Sequence, residues 1–283
     1  MFYKKTGKIP NKHSKPNRHS TKTTETAFAD KEIIYGINTI QVLINTDPSR
    51  IISIFCEKKN TTVINSKIKN ICDLALDQQI SVQDTNTATL DRWFVEPVNH
   101  QGIAAHIKPT KFLEEEDLIE LANQIKPSKA IFLVLDSVQD PRNLGACIRS
   151  AAAIGVSAVV ISRNATCDVT ATVKKVASGA ADIIPIAKVG NLVNCLKQLQ
   201  KHGVWVISLA ASHAQNLSAI DLTVPVALVL GSEELGVRSL IKQHSDFLAK
   251  IPMLNSGIDS LNLSVAAGIC LYEVNRQRTN GKA

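Results

Sequence analysis

The spacing of apolar residues changes along the chain, and each change marks an element. From Met1 to Glu32 there is almost no apolar periodicity. Ile37, Ile40, Leu43 and Ile44 then recur at helical spacing until Asp47-Pro48 stops them. Ile51 to Cys56 reads as a short strand, Ile64, Ile68, Ile71, Cys72 and Leu76 as one face of a helix, and Ile80–Gln83 and Gly102–Ile107 as further strands. This alternation predicts a small α/β domain over residues 33–108. Lys108-Pro109 breaks the last strand, and an acidic helix from Leu113 to Ile125 ends at Lys126-Pro127, so a linker is expected over 109–128.

From residue 129 the pattern is bolder. Ala130–Leu135 is a continuous apolar run, as a strand buried on both faces of a parallel sheet requires. Val156–Ile161, Val204–Leu209, Val226–Leu230 and Phe247–Ile251 repeat it. An Ala-rich helix after Pro141 and a helix from Asn191 to about Lys201 lie between them. Leu263, Ala266, Ala267, Cys270, Leu271 and Val274 form one apolar face of a last helix, and Asn275–Ala283 is expected to fray. The second domain, 129–283, is therefore α/β with a parallel sheet.

Composition and charge narrow the function. The 283 residues are 45% hydrophobic and 20% charged, which suits a globular protein, and no apolar run reaches the roughly 18 residues of a membrane span. MFYKKTGKIP has no apolar core of a secretory signal. Six cysteines are scattered without a C-x-x-C pair, which predicts reduced thiols in a cytoplasmic protein and neither disulfides nor a metal site. Residues 1–32 hold eight Lys/Arg against three Asp/Glu, an excess of five in a chain of net charge +7. That segment reads as a disordered basic tail suited to a salt-sensitive grip on nucleic-acid phosphate, or simply as a solvated one. The Gly-rich loops of P-loop and dinucleotide sites and the H-E-x-x-H and G-x-S-x-G signatures do not occur.

Three polar clusters follow buried strands, where α/β folds place ligands. The first is DSVQDPRNLGACIR, Asp136–Arg149. Pro141 in a first helical turn with Asp140 as its cap explains two of its residues but leaves Asn143 and Arg149, which six positions apart lie on different faces of a regular helix. The second is LVLGSEELGV, Leu228–Val237, in which Gly231 and Gly236 frame two carboxylates that a following helix could use for its dipole. The third, IPMLNSGIDSLNLSVAAGIC from Ile251, carries Ser260 and Asn262 where they could cap the last helix.

Together, in this order and at these gaps, with KKVASGA between the first two, the clusters resemble the three motifs of the SpoU family of RNA 2′-O-methyltransferases, in the SPOUT (trefoil-knot) superfamily. Tyr35-Gly36-Ile37, His100-Gln101-Gly102-Ile103 and the ending GICLYEVNRQR extend the likeness to an L30e-like substrate-binding domain and to the branch that methylates 23S rRNA guanosine. The resemblance implies a C-terminal stretch threaded as a knot, an exception to the rule that chains do not thread loops. It implies S-adenosylmethionine as cofactor, at Gly231, Ile251 and Leu261 with the Leu209 region close by. It implies a homodimer with the last helix at the interface, and a guanosine of the 23S rRNA P-site loop as substrate.

By the same resemblance Arg149 is the catalytic arginine, Asn143 and Glu233 hold it and the ribose, and Ser260 and Asn262 orient the phosphate and the knot loop. A guanidinium gives up its proton only above about pH 12, so its economical role is to bind phosphate and stabilise charge developing on the hydroxyl. The loop between Met253 and Ser260 is one residue longer than the usual family loop, with Gly257 displaced. Alternatives are the same reaction on tRNA, and a non-catalytic RNA-binding assembly factor of the same fold.

Overall fold

A computed structural model describes residues 31–57, 63–127, 130–211, 213–254 and 260–280. The expected basic tail and the lengthened loop around Gly257 lie outside the described residues, apart from Lys31 and Glu32.

The N-terminal unit comprises β1 (Glu32–Tyr35), α1 (Ile37–Thr46), β2 (Ile51–Glu57), α2 (Val63–Asp77), β3 (Ser81–Thr85), α3 (Thr87–Asp91) and β4 (Ile103–Ile107). Its sheet runs β1-β4-β2-β3, with β2 and β3 parallel and the other pairings antiparallel. Ile34, Ile40, Leu43, Ile54, Ile71 and Ile103 are fully buried between the sheet and its helices. The expected strands and helices appear, the short α3 is extra, and β1 is added. It starts inside the stretch read as tail, because four residues paired to β4 have too little pattern to announce themselves.

The second unit runs α4 (Glu115–Gln124), β5 (Ile131–Asp136), α5 (Pro141–Ile154), β6 (Ala158–Ser162), α6 (Ala171–Val176), β7 (Ile186–Val189), α7 (Leu192–Lys201), β8 (Trp205–Leu209), β9 (Gln215–Asn216), β10 (Val226–Gly231), α8 (Ser239–Gln243), β11 (Phe247–Lys250) and α9 (Leu263–Asn280). Its seven strands lie in the order β7-β6-β5-β10-β8-β11-β9, all pairings parallel. The apolar run of β5 is read by both layers. Ile131, Leu133 and Leu135 face the core with α5 and α9, while Phe132 and Val134 face that with α4 and α7. Helix α4 is more than a spacer: Leu118 is fully buried in the second core, and the backbone of Leu113 bonds to Ile186 and Lys188 beside β7.

The expectation that Asn275–Ala283 frays fails as far as Asn280, because α9 continues to that residue. Arg278 donates to the carbonyls of Leu222 (2.9 Å), Ala130 (3.0 Å) and Val224 (2.6 Å), and Gln277 bonds Ile220 and Leu222. These contacts pin the final turn to the start of the sheet. The threaded path implied for the stretch after Ile251 passes through residues 255–259, outside the described residues.

Candidate active site

Register places the first two motifs side by side. β5 and β10 are neighbours, and Gly231 stands opposite Asp136, so both loops leave the same edge of the sheet. Asp136 is fully buried and binds the segment after the second motif. It accepts from the backbone N–H of Arg238 (2.9 Å) and from its Nε (2.8 Å), and pairs with the guanidinium at 2.7 Å. The second loop folds tightly on itself: Gly236 N–H donates to the Ser232 carbonyl at 2.8 Å. A Cβ at Gly231 would overlap the backbone of Gly236 and Val237, so the turn requires glycine by close approach. The carboxylates of Glu233 and Glu234 do not serve α8, which starts at Ser239 with no acidic residue in its first turn.

Glu233 faces the other two motifs instead. Asn262 Nδ2 donates to Asn143 Oδ1 (3.0 Å) and to Glu233 Oε1 (2.6 Å), and Leu263 N–H donates to the same Glu233 oxygen (3.2 Å). Asn262 Oδ1 accepts from the backbone N–H groups of Ser264 (3.0 Å) and Val265 (3.4 Å), so one side chain caps α9 and ties it to both other motifs. Asn143 holds its place because Asp140 caps α5, accepting from Arg142 N–H at 2.9 Å, and its own side chain is buried. Cys147, one turn on, has its thiol pushed up to about 12 by burial and then by the Glu233 carboxylate; it stays protonated and is no nucleophile.

Beside this cluster opens a cleft of about 750 Å³. Leu209, Gly231, Ile251, Leu261, Glu233 and Ser260 all line it. Its walls fit S-adenosylmethionine in kind. Leu209, Leu230, Ile251 and Leu261 are apolar enough for a nucleoside, the tight Gly231–Gly236 backbone leaves room close to the chain, and Glu233 and Glu234 suit a sulfonium cation. Lys242, Lys250 and Asn216 line it too, and nothing in the sequence marked them: they come from a short helix, a strand end and a two-residue strand.

The structure therefore brings Asn143, Glu233 and Asn262 together and sets the expected cofactor residues on one cleft. Arg149 lies outside both. α5 is a regular helix, so Arg149 emerges exposed on another face from buried Asn143, and makes no hydrogen bond or ion pair among the described residues. Ser260 is exposed at the cleft and caps nothing among the described residues; the cap is Asn262 alone. The apolar face of α9, which would suit the close packing of the implied dimer interface, is used within the protomer, where Ala267, Cys270, Leu271 and Val274 are fully buried in the core shared with α5. Among the described residues no group of three His, Cys, Asp or Glu side chains could hold a metal, and no helix is long and apolar enough to cross a membrane.

Known proteins are similar to the chain in sequence and in fold. The chain is 41% identical over 253 residues to a 23S rRNA (guanosine-2′-O-)-methyltransferase of Photorhabdus laumondii, covering 88% of this chain and 99% of that one. It is 44% identical over 246 residues to the Xylella fastidiosa protein of the same name, covering 87% and 96%. In fold it is similar to the SpoU methyltransferase AviRb of Streptomyces viridochromogenes, with a TM-score of 0.71 at 19% identity over 89% of this chain and 91% of that one. It is also similar to an AdoMet-bound rRNA methyltransferase of Sinorhizobium meliloti, with a TM-score of 0.68 at 23% identity over 87% of each chain. The profile of the RNA 2′-O ribose methyltransferase substrate-binding domain matches residues 33–113, and that of the SpoU rRNA methylase family matches residues 130–272. The chain belongs to the SpoU rRNA methylase family: it is an RNA 2′-O-methyltransferase with a substrate-binding domain ahead of its catalytic one.

Proposed function

We propose that the protein transfers a methyl group from S-adenosylmethionine to the ribose 2′-hydroxyl of a guanosine in the P-site loop of 23S rRNA, in the cytoplasm. The observation that carries this reading is the convergence of Asn143, Glu233 and Asn262, from three distant segments, beside the cleft that holds Gly231. Relatives named for 23S rRNA guanosine and aligned over nearly their whole length support the substrate. Reading a 2′-hydroxyl selects RNA over DNA.

Leu209, Gly231, Ile251 and Leu261 would hold the cofactor, largely through backbone and apolar contact. When bound, S-adenosylmethionine supplies an electrophilic methyl group on a sulfonium. Asn262 fixes Glu233 through Oε1, and the second carboxylate oxygen would accept from the ribose hydroxyl. Ser260, exposed at the cleft, and Asn262 orient the RNA phosphate and the head of α9. Arg149 lies outside the cleft of its own protomer and has no carboxylate partner among the described residues; it would take an RNA phosphate and act on the 2′-oxygen where the bound RNA or a second copy brings that ribose to it.

The partner proposed for the protein itself is a second copy. Val265, Ile269 and Tyr272 form a stripe on the outer side of α9, respectively 50%, 38% and 61% exposed, at the spacing of one helix face. The stripe replaces the inward face as the expected interface. Polar substitutions along it should convert a dimer to a monomer in light scattering; a wild-type monomer contradicts the assignment. The reaction is tested by incorporating labelled methyl from S-adenosylmethionine into unmodified 23S rRNA and tRNA transcripts in parallel. Transfer to 23S rRNA alone is expected, and transfer to tRNA alone would overturn the substrate.

A further inference from the structure

Three stretches that the active site does not use meet at one place: Tyr35-Gly36-Ile37, the turn around Gln101, and Lys174-Lys175 with Gly179. At their centre is Lys174, whose side chain is wholly buried. Its ammonium pairs with Asp182 (2.8 Å), also wholly buried, and with Glu32 (2.9 Å) at the first residue of β1, and it donates to Thr110 Oγ1. Arg50, on the N-terminal unit, reaches the same Asp182 oxygen (3.0 Å) and Thr110 Oγ1 (2.8 Å). Thr110 donates to Glu32 from its backbone N–H (3.0 Å) and its hydroxyl (2.9 Å). Two cations and two carboxylates thus balance across the boundary between the two units.

The backbones approach closely around this knot of charge. Gly36 has φ +93, and the Lys175 side chain occupies the place its Cβ would take. Gly179 has φ +87, and a Cβ there would stand 2.7 Å from Val42 Cβ on α1. Gln101 Oε1 accepts from Ile37 N–H (3.2 Å) and from Lys175. On its other side α6 is pressed against α5 at Gly145, where a Cβ would lie 2.8 Å from the Val173 carbonyl. The joint therefore stands one helix behind Asn143 and Arg149.

We propose that Lys174 is a positioning residue for methyl transfer. With Asp182, Glu32, Arg50 and Thr110 it locks the substrate-binding unit onto α6, so that RNA gripped by that unit meets the cleft in one register. A buried charge that loses its partner favours the opened state, in which the ions regain water. RNA that must touch both units then binds productively only to the fraction that remains docked. The inference rests on the RNA methyl-transfer reading above.

The test uses Lys174→Met and, on the opposite unit, Arg50→Gln in the full-length protein. Three readouts are taken: S-adenosylmethionine affinity by calorimetry, KM and kcat on whichever RNA the wild type methylates, and the radius of gyration by X-ray scattering. The expected result is cofactor affinity within about twofold of wild type, a larger radius of gyration, and KM raised about ten- to a hundredfold with kcat little changed. Wild-type KM in both variants, or an unchanged radius of gyration, overturns the proposal. So does cofactor affinity lost in step with activity, which marks general damage to the fold. The scattering arm needs no RNA, so failure of the functional reading, seen as absence of transfer by the wild type, stays distinguishable from failure of the joint.

Discussion

Asn262→Asp separates two tasks that one amide performs at the head of α9. Aspartate caps a helix as well as asparagine, so the bonds from the backbone N–H groups of Ser264 and Val265 persist. What disappears is the Nδ2 donor to Asn143 (3.0 Å) and Glu233 (2.6 Å). Losing a hydrogen bond to a carboxylate costs about 1.5–3 kcal/mol, and leaving the buried Asn143 oxygen unpaired about 1–3 kcal/mol. The new carboxylate also faces that of Glu233. Since Glu233 is exposed, water and salt hold the repulsion to roughly 1 kcal/mol. The overlapping terms suggest a loss of about 3–5 kcal/mol at pH 8, or on the order of 10 °C in melting temperature.

The pH dependence fixes the cause. Two facing carboxylates raise the folded-state affinity for the first proton above that of the unfolded chain. The stability retained is therefore greatest below the ordinary carboxylate pKa of about 4 and falls as pH rises through the raised value. Melts followed by circular dichroism at pH 4 and at pH 8 should show the variant further below wild type at pH 8, with single-turnover methyl transfer about 10²-fold slower at pH 8. A melting temperature within about 2 °C of wild type at both pH values would refute the claim that this amide joins the three motifs.

Other outcomes follow from the same contacts. Gly231→Ala should weaken S-adenosylmethionine binding at least about tenfold in calorimetry and cost about 1–3 kcal/mol of stability, because its methyl meets backbone that cannot withdraw; unchanged binding removes Gly231 from the cofactor cradle. Arg149→Ala should leave the melting transition within about 0.5 kcal/mol and cofactor affinity near normal while turnover falls about 10²-fold or more; full turnover would exclude Arg149 from the chemistry. Arg278→Met should cost about 2–4 kcal/mol in urea unfolding, since three carbonyls lose a charged donor; a loss under about 0.5 kcal/mol would return the end of α9 to the frayed state its sequence suggests.

What the sequence showed and hid has a physical logic. β5 and β10 were legible because a strand covered on both faces must be apolar throughout, and the loops after them because parallel strands open their ligand edge at their C-terminal ends. The pairing of Asn143 with Asn262 across 119 positions was not legible from period or spacing; the resemblance named both residues but gave them separate tasks. β7 escaped notice because IAKV is four residues long and contains a lysine, and its place in the sheet is set by neighbours. The end of α9 looked polar and free, yet Gln277 and Arg278 spend that polarity on carbonyls far away in sequence. A fully buried Lys174 is the extreme case. A lysine reads as surface until the four groups around it, three of them more than 60 positions away, are placed.

The most direct test of the account is to map the product. Unmodified 23S rRNA is incubated with the protein and S-adenosylmethionine, and 2′-O-methyl-sensitive primer extension is run beside the Asn262→Asp and Arg149→Ala variants. The account predicts a single new stop at one P-site-loop guanosine, strong with wild type and nearly lost with both variants. A stop elsewhere, or one of equal strength with the variants, would contradict it.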